Sequence, residues 1–270
     1  MKAMEEKAFI QVVKKYFKEH GRHNLPWRLI DDPYKIAVSE LMLQQTQVSR
    51  VIEKYKEFLK VFPDVRALAK APLADVLRAW SGLGYNRRAK FVHQMAQAVI
   101  NNHKGKFPDT IEALQSLPGI GPYTAGAIYA FAYNKPWPVI ETNIRSVYLH
   151  HFFKDKAGVC DKELLPIIER TLQKKNPREW YWALMDYGSH LKASGIKNNA
   201  KSKHYTKQSR FEGSNRQIRG AIMREVLKGP MTLVQITKAI DKEKEKVQTV
   251  LEDLVKEGMI GKEKNKYSIK

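Results

Sequence analysis

Apolar residues recur every three to four positions over most of the first 195 residues of the chain, in place of the alternation that strands show. This spacing puts the apolar side chains on one face of each of several successive helices. Asn176 precedes Pro177 and Glu179, which favours a helix start with a capping side chain and a carboxylate in the first turn. Asp109 with Glu112 predicts a second start of this kind. This first part of the chain is therefore predicted to be all-α.

The helical pattern breaks off between about residues 195 and 214, where basic and amide side chains leave few apolar anchors. Beyond this stretch, capping boxes at Ser214 and at Thr232 open two amphipathic helices. The predicted elements are helices near 218–227, 233–240 and 242–257, and two short strands within 259–269. Three helices and a terminal hairpin resemble a winged helix, whose second motif helix usually enters the major groove of DNA. The alternative is a small module that only packs on the first domain.

The expected fold class is thus mainly α, with three parts. They are a helical domain over 1–195, a basic linker or DNA-binding loop over 196–213, and a winged-helix-like domain over 214–270.

The charge of the chain narrows the choice of partner. Forty-eight Lys and Arg against 28 Asp and Glu leave a formal charge of +20 and a pI near 9.8, a balance that favours nucleic acid as the partner. No apolar run approaches the roughly 20 residues that span a bilayer, and Glu5 and Glu6 do not fit a signal peptide. We therefore expect a cytoplasmic, nucleoid-associated protein of a prokaryotic cell, with no membrane partner.

The single cysteine limits the cofactors that the chain can hold. Cys160 cannot close an internal disulfide, and one thiolate cannot assemble a cluster that needs several cysteine ligands. We expect no cofactor, no metal site and no iron-sulfur cluster.

A glycine-containing turn lies between two predicted helices at Leu117–Gly121. Gly119 and Gly121 permit a tight reversal that leaves backbone N–H groups exposed, so a phosphate group fits there. An ordinary helix-helix turn has the same composition.

Four segments in order carry a resemblance to a known family. They are Pro26–Arg28, Ser39–Val48, Trp80–Tyr85 and Leu117–Ala127. Together they resemble the helix-hairpin-helix glycosylases of base excision repair, within the endonuclease III superfamily, and are most similar to the MutY adenine glycosylases. The resemblance implies two α-helical lobes, the six-helix lobe over about 30–137. It also implies double-stranded DNA with a mispaired or damaged base in the cleft, and a target base flipped out of the stack.

The resemblance assigns the catalytic residues. Glu40 lies where the family has the acid that protonates a ring nitrogen of adenine, a role that needs a carboxyl pKa raised toward neutrality. Without the resemblance, Glu40, Gln44 and Gln47 would be interpreted as a solvated stripe on one helix face.

Glu141, followed by Asn143, lies where the family has an aspartate that stabilises the sugar cation. The extra methylene of Glu141 is the main departure from the family, and a cap or a pair with Arg145 is the alternative role. Tyr123 lies where the endonuclease III enzymes have a lysine that forms a Schiff base, which tyrosine cannot do. The resemblance therefore implies a monofunctional glycosylase. We expect Tyr123 to contact the flipped base instead, with core packing as its alternative.

The remaining matches concern the base and the duplex. Trp27 and Arg28 match residues of the base pocket, and Trp182 replaces a residue that is often polar. For both tryptophans, core packing is the alternative. The residues expected to meet the duplex are Gln44, Gln45, Thr46, Tyr85, Gly119 and Gly121.

The basic linker lies where the family's iron-sulfur cluster loop would be. We expect its cations to contact phosphates directly, and a disordered tail is the alternative. These cations are Lys201, Lys203, Lys207 and Arg210.

The expected activity is release of adenine opposite 8-oxoguanine or guanine by a monomer that has no Nudix-like domain. One alternative is a thymine or uracil mismatch glycosylase acting opposite guanine. The other is a DNA-binding protein without catalysis.

Overall fold

The computed structural model describes residues 2–207 and 210–270. Gln208 and Ser209, in the predicted linker, lie outside the described residues. The described chain is mainly helical, which confirms the predicted fold class. Its longer helices are α1 (Lys2–His20), α2 (Pro33–Leu43), α3 (Val48–Val61), α4 (Val65–Lys70), α5 (Leu73–Ala79), α6 (Arg87–His103), α7 (Ile111–Gln115), α8 (Pro122–Phe131), α9 (Thr142–Phe152), α10 (Asp161–Thr171), α11 (Pro177–Ala193), α12 (Asn215–Val226), α13 (Leu233–Ile240) and α14 (Lys244–Lys256). Short 3-10 helices cover Pro26–Arg28 and Asn198–Lys201.

In the described part of the chain, three short strands form one antiparallel sheet. They are β1 (Met231–Thr232), β2 (Ile260–Glu263) and β3 (Lys266–Ile269), in the spatial order β1-β3-β2. The sheet and helices α12 to α14 form a C-terminal module over 214–270. Its three helices and its hairpin were predicted, and its assignment as a winged helix stays a prediction.

The described residues divide into two compact units. Residues 2–40, 108–116 and 120–207 form the first unit, and residues 41–107, 117–119 and 210–270 form the second. The predicted division into domains over 1–195, 196–213 and 214–270 stays a prediction.

The core of the first unit is built on α1, α9 and α11. Phe9 on α1 lies 5.2 Å from the ring of Tyr148 and 5.9 Å from that of Trp180, all three buried. Gly188 on α11 comes so close to the start of α9 that a Cβ atom would lie 2.3 Å from the carbonyl oxygen of Asn143. This approach fixes the beginning of α9, where Glu141 lies.

The second unit packs α3 to α6 around apolar side chains. Phe58 and the fully buried Trp80 meet edge to face with ring centroids 5.8 Å apart. In the C-terminal module, α12 packs against α14, and the buried residues of the two helices include Ile222, Val250 and Leu254. These contacts give the module its own apolar core.

Local signals explain most helix starts. The side chains of Asn176 and Thr232 cap α11 and α13, as predicted. A helix begins where Asp109 and Glu112 predicted one, but the predicted capping residue was wrong, because Thr110 caps α7 by accepting from the N–H of Ala113. Asp109 instead pairs with Lys135 at 3.0 Å, a partner that its position in the sequence does not reveal.

Candidate active site

Glu40 lies on α2 with only 5% of its surface exposed. The Asp32 side chain accepts hydrogen bonds from the N–H groups of Tyr34 and Lys35 and so fixes the start of the helix. Two turns later the helix buries Glu40 in the first unit. The solvated stripe considered as an alternative does not describe this residue.

The carboxylate of Glu40 has one hydroxyl donor and a raised pKa. Tyr123 Oη donates a hydrogen bond to Glu40 Oε2 at 2.8 Å. The pKa of Glu40 is raised from 4.5 to about 7. Burial is the main cause, the Tyr123 hydrogen bond opposes it, the charge of Glu141 adds to it, and the charge of Arg28 opposes it. Burial beside these carboxylates also holds the pKa of the Tyr123 phenol well above its usual range. At neutral pH, Glu40 is therefore near half protonation.

Glu141 is the capping residue of α9. Its Oε1 accepts from the backbone N–H groups of Asn143 and Ile144, each at 2.8 Å, and its Oε2 accepts from Asn143 Nδ2 at 3.3 Å. Burial raises the pKa of Glu141, while the three hydrogen bonds and the charge of Arg145 lower it. The structure thus shows the cap that was considered as an alternative role. The guanidinium of Arg145 donates to the carboxylate of Asp161 at 2.8 Å and does not pair with the Glu141 carboxylate.

Arg28 forms a buried ion pair that sequence reasoning missed. Its guanidinium donates to both carboxylate oxygens of Asp186, at 2.8 and 2.9 Å, and both side chains are almost fully buried. Burial raises the pKa of Asp186, but hydrogen bonds and charge from Arg28, together with those from Arg22, outweigh it and lower the pKa. The only sequence signal is an acid on the apolar face of α11, one turn from Trp182.

Two of the three predicted base-pocket residues lie together at this ion pair. The Arg28 guanidinium lies 5.4 Å from the ring centroid of the half-buried Trp182. The ring of Phe131 also lies near Trp182, with 6.2 Å between the two centroids. Trp27 is buried, with 6% of its surface exposed. Arg28 and Trp182 are thus brought together in the first unit, while Trp27 belongs to its core.

In the second unit, two turns display the residues expected at the duplex. Gln45 and Tyr85 are exposed and have φ values of 56° and 47°, in the left-handed region that non-glycine residues seldom occupy. Gln44 and Thr46, on either side of Gln45, are half-buried.

One buried arginine, missed by sequence reasoning, holds both turns. Arg88 donates to the carbonyl oxygens of Leu41 at 2.7 Å, Met42 at 2.9 Å, Gln44 at 2.6 Å, Leu83 at 3.1 Å and Gly84 at 3.1 Å, and to Thr46 Oγ1 at 3.1 Å. Burial lowers the pKa of Arg88 to about 10, so the guanidinium stays charged at neutral pH. The two turns therefore share a single cationic anchor.

The two glycines of the hairpin between α7 and α8 differ in what the fold requires of them. Gly119 has φ +77°, and a Cβ atom there would lie 2.5 Å from Phe91 Cβ. Gly121, which precedes the first turn of α8, has an ordinary φ of −84°, and no described residue lies within 4 Å of a Cβ atom placed there. Packing explains Gly119 but gives no reason for Gly121.

The predicted basic segment is tied to the first unit by backbone hydrogen bonds. Val159 N–H donates to the carbonyl of Lys201, and the N–H of Lys203 donates to the carbonyl of Val159, both at 2.9 Å. Lys201 Nζ also donates to the carbonyl of Lys154 at 2.8 Å. This part of the segment is therefore ordered, whereas a disordered tail was the alternative. The side chains of Lys203, Lys207 and Arg210 are exposed.

The donor set does not fit a four-thiolate iron-sulfur cluster, because Cys160 is the only cysteine of the sequence. Cys160 is half-buried just before α10, and the described residues hold no group of three or more His, Cys, Asp and Glu that suits a metal ion. Among the same residues, no helix has the length and apolar character needed to cross a bilayer.

Comparison with known proteins relates this geometry to a family. The family described as "HhH-GPD superfamily base excision DNA repair protein" matches residues 38–172. The adenine DNA glycosylase of Buchnera aphidicola (subspecies Acyrthosiphon pisum) is 36% identical over 193 residues, which cover 70% of this chain and 55% of that protein. The chain thus spans about half the length of the adenine glycosylases that it matches.

Two further relatives match a larger share of their own length. The thymine/uracil-DNA glycosylase of Pyrobaculum aerophilum is 30% identical over 186 residues, covering 66% of this chain and 80% of that protein. A solved structure of a thermostable thymine-DNA glycosylase has the same fold, with a TM-score of 0.63 at 22% identity over 74% of this chain and 96% of that one. The matched residues include Glu40, Tyr123 and Glu141, and the chain belongs to the HhH-GPD superfamily of base excision DNA repair proteins.

Proposed function

We propose that the protein is a monofunctional DNA glycosylase that releases adenine from a mispair and leaves an abasic site. The observation that carries this proposal is Glu40, a buried carboxyl with a pKa of about 7 that Tyr123 contacts and whose proton affinity Glu141 raises. A general acid near neutrality needs such a pKa.

In the proposed mechanism the two carboxyl groups have different roles. Protonated Glu40 donates its proton to a ring nitrogen of the flipped adenine, and the C1′–N9 bond breaks with its electron pair moving to the base. The deoxyribose is left as an oxocarbenium ion, which the ionised carboxylate of Glu141 stabilises. Water then adds to C1′ and loses a proton, and the abasic site results. The hydrogen bonds from Asn143 and Ile144 favour the charged form of Glu141 that this step requires.

Strand cleavage is not part of the proposed activity. Tyr123 lies where the bifunctional relatives have their Schiff-base lysine, and a phenol cannot form an imine with the sugar. In this chain the hydroxyl donates to the acid instead.

Duplex DNA is the proposed partner. The chain carries a formal charge of +20, and the basic side chains of Lys203 and Lys207 are exposed. Gly121 leaves open space at the N-terminus of the ten-residue helix α8, where a phosphate group can approach the backbone N–H groups. The exposed Gln45 and Tyr85, held in left-handed turns, are suited to enter the base stack.

A thymine or uracil glycosylase acting opposite guanine is the second candidate. The Pyrobaculum relative, which acts on those bases by its name, supports it, and Trp182 gives the pocket a larger apolar surface than a polar residue would. The buried acid Glu40 favours adenine, whose ring nitrogens accept a proton readily.

Single-turnover excision on a panel of duplexes tests the proposal. The panel pairs adenine with 8-oxoguanine, guanine or cytosine, and thymine or uracil with guanine, and alkali reveals abasic sites. We expect adenine release by the wild-type protein, none by Glu40→Gln, and full release by Glu112→Gln, an exposed control. Release of pyrimidines alone would select the second candidate. Intact binding without release from any duplex would leave a DNA-binding protein that lacks catalysis.

We further propose that the protein works as a monomer in the cytoplasm of a prokaryotic cell, without a cluster. Because one cysteine cannot replace four, purified protein should contain less than one iron per chain and lack visible absorption from iron-sulfur charge transfer. A brown, iron-containing preparation would contradict this.

A further inference from the structure

We propose that Arg216, in the C-terminal module, is a positioning residue for Tyr85, so that the module sets how this side chain meets the DNA. The inference rests on the proposed function, because it takes Tyr85 as a residue that enters the duplex. It gives the module a role in base flipping that differs from independent DNA binding by a winged helix.

Arg216 contacts Tyr85 in two ways. Its Nη1 donates a hydrogen bond to Tyr85 Oη at 2.6 Å, and its guanidinium carbon lies 5.8 Å from the centroid of the Tyr85 ring. The guanidinium of Arg88 lies 5.4 Å from the same centroid. The ring therefore lies near two cations, one buried beneath the turn and one supplied by α12. Cations over the face of an aromatic ring are attracted to it.

The backbone of Tyr85 makes such support necessary. Its φ of 47° is in the left-handed region, and 36% of its surface is exposed. Residues in this region persist only where the surroundings hold them, and such positions concentrate at functional sites. Arg88 holds the carbonyl groups of the turn, while Arg216 holds the end of the side chain. The two arginines thus fix the backbone and the phenol separately.

A second set of contacts holds the C-terminal module beside the turn that carries Tyr85. Lys90, on the first turns of α6, donates from Nζ to the carbonyl of Glu257 at 2.5 Å and to that of Gly258 at 3.2 Å, at the C-terminus of α14. A cation is favourable at that end of a helix, where carbonyl groups lack helical partners. Arg219 on α12 pairs with the Glu257 carboxylate at 2.6 Å. Arg216 is consequently presented by an anchored module and is not part of a mobile arm.

A matched pair of arginine variants separates positioning from charge. Arg224 is also on α12, is exposed, and contributes the same positive charge. Arg216→Ala and Arg224→Ala therefore change the net charge equally, and only the first removes the contacts with Tyr85. Arg216→Lys keeps the charge and a donor but loses the planar guanidinium. The Lys90 and Arg219 contacts remain in all three variants.

The readout is the fluorescence of 2-aminopurine placed at the target position of the duplex, which rises when the base leaves the stack. It is measured with Glu40→Gln protein, so that excision does not consume the complex. We expect Arg216→Ala to reduce the rise about tenfold and, with Glu40 intact, to slow excision of adenine to a similar degree. The dissociation constant should change no more than in Arg224→Ala. Arg216→Lys should recover part of the rise.

A double-mutant cycle with Tyr85→Ala completes the test. If Arg216 acts through Tyr85, adding Arg216→Ala to Tyr85→Ala should reduce the fluorescence rise no further. The inference would be overturned if the effects of Arg216→Ala and Tyr85→Ala multiplied in the double variant. It would also be overturned if Arg216→Ala and Arg224→Ala behaved alike. A fluorescence rise with Glu40→Gln protein, together with no base release by protein that keeps Glu40, would refute the proposed activity and leave the inference standing. No rise with Glu40→Gln protein that keeps Arg216 and Tyr85 would overturn the inference itself.

Discussion

Replacing Tyr123 by phenylalanine removes the hydroxyl that donates to Glu40 at 2.8 Å and should raise the pKa of Glu40. This hydrogen bond favours the carboxylate form, so the pKa of about 7 that Glu40 has in the protein already includes its lowering effect. A hydrogen bond to a charged group contributes about 1.5–3 kcal/mol, and 1.36 kcal/mol corresponds to one pKa unit, so the expected rise is about 1–2 units. The pKa of Glu40 in the variant should therefore reach about 8–9.

The sign of the change in activity follows from the role of Glu40 as an acid. Excision needs the protonated form, so the single-turnover rate should be level below the pKa and fall tenfold for each pH unit above it. The wild-type rate should begin to fall near about pH 7, and the Tyr123→Phe rate near about pH 8–9. Whatever its rate on the plateau, the variant should keep that plateau further toward alkaline pH.

The assay is single-turnover excision from about pH 5.5 to about pH 9.5. The control is Tyr133→Phe, which removes a hydroxyl that donates to the carbonyl of Pro108, away from Glu40. An alkaline limb that stays in place or moves to lower pH in Tyr123→Phe would refute the reasoning. In that case the limb would belong to a group other than Glu40.

Four further predictions concern folding stability, DNA binding and the position of the Glu141 carboxylate. Because the pKa of Glu40 is raised from 4.5 to about 7, ionisation of this group should lower the free energy of unfolding by about 3 kcal/mol as the pH rises through that window. Glu40→Gln should therefore unfold at a higher urea concentration than wild type at pH 8 but not at pH 5. Replacing the exposed Lys203 and Lys207 by alanine should reduce the salt slope of DNA binding by about one per residue, and an unchanged slope would mean that they do not contact DNA. Lys201→Ala should instead lower the thermal midpoint, because its ammonium donates to a backbone carbonyl. Glu141→Asp should keep the helix cap but slow excision by up to about 100-fold, because the shorter side chain moves the carboxylate away from the sugar. Faster excision by this variant would show that aspartate supports the reaction better than glutamate at position 141.

Much of the fold could be predicted from the sequence because its signals are local. The caps at Asn176 and Thr232 need only residues within one turn, and both were predicted correctly. Strand β1 was missed because two residues carry no periodicity, and it exists only through pairing with β3, more than 30 residues later. Asp109 was assigned as a cap because nothing nearby reveals its pairing with Lys135.

The candidate site shows the same limit. Glu40, Tyr123 and Glu141 were proposed from the family resemblance, and the structure brings Tyr123 to Glu40 by a hydrogen bond between residues 83 positions apart. Asp186 and Arg88 were missed, although each is buried and multiply hydrogen-bonded. Their partners lie far away in the sequence, and a charged residue inside a helix gives no sign of what its buried end will meet.

The single arginine that joins two turns also limits how this protein can diverge. Lysine has three donors and no planar fork, so it could not replace Arg88, whose two terminal nitrogens serve six acceptors on two segments. An insertion in either turn would withdraw carbonyl groups from that shared anchor and disturb the other turn as well. Changes in target preference in this lineage should therefore accumulate as side-chain replacements at the displayed positions, Gln45 and Tyr85, while the lengths of both turns stay constant.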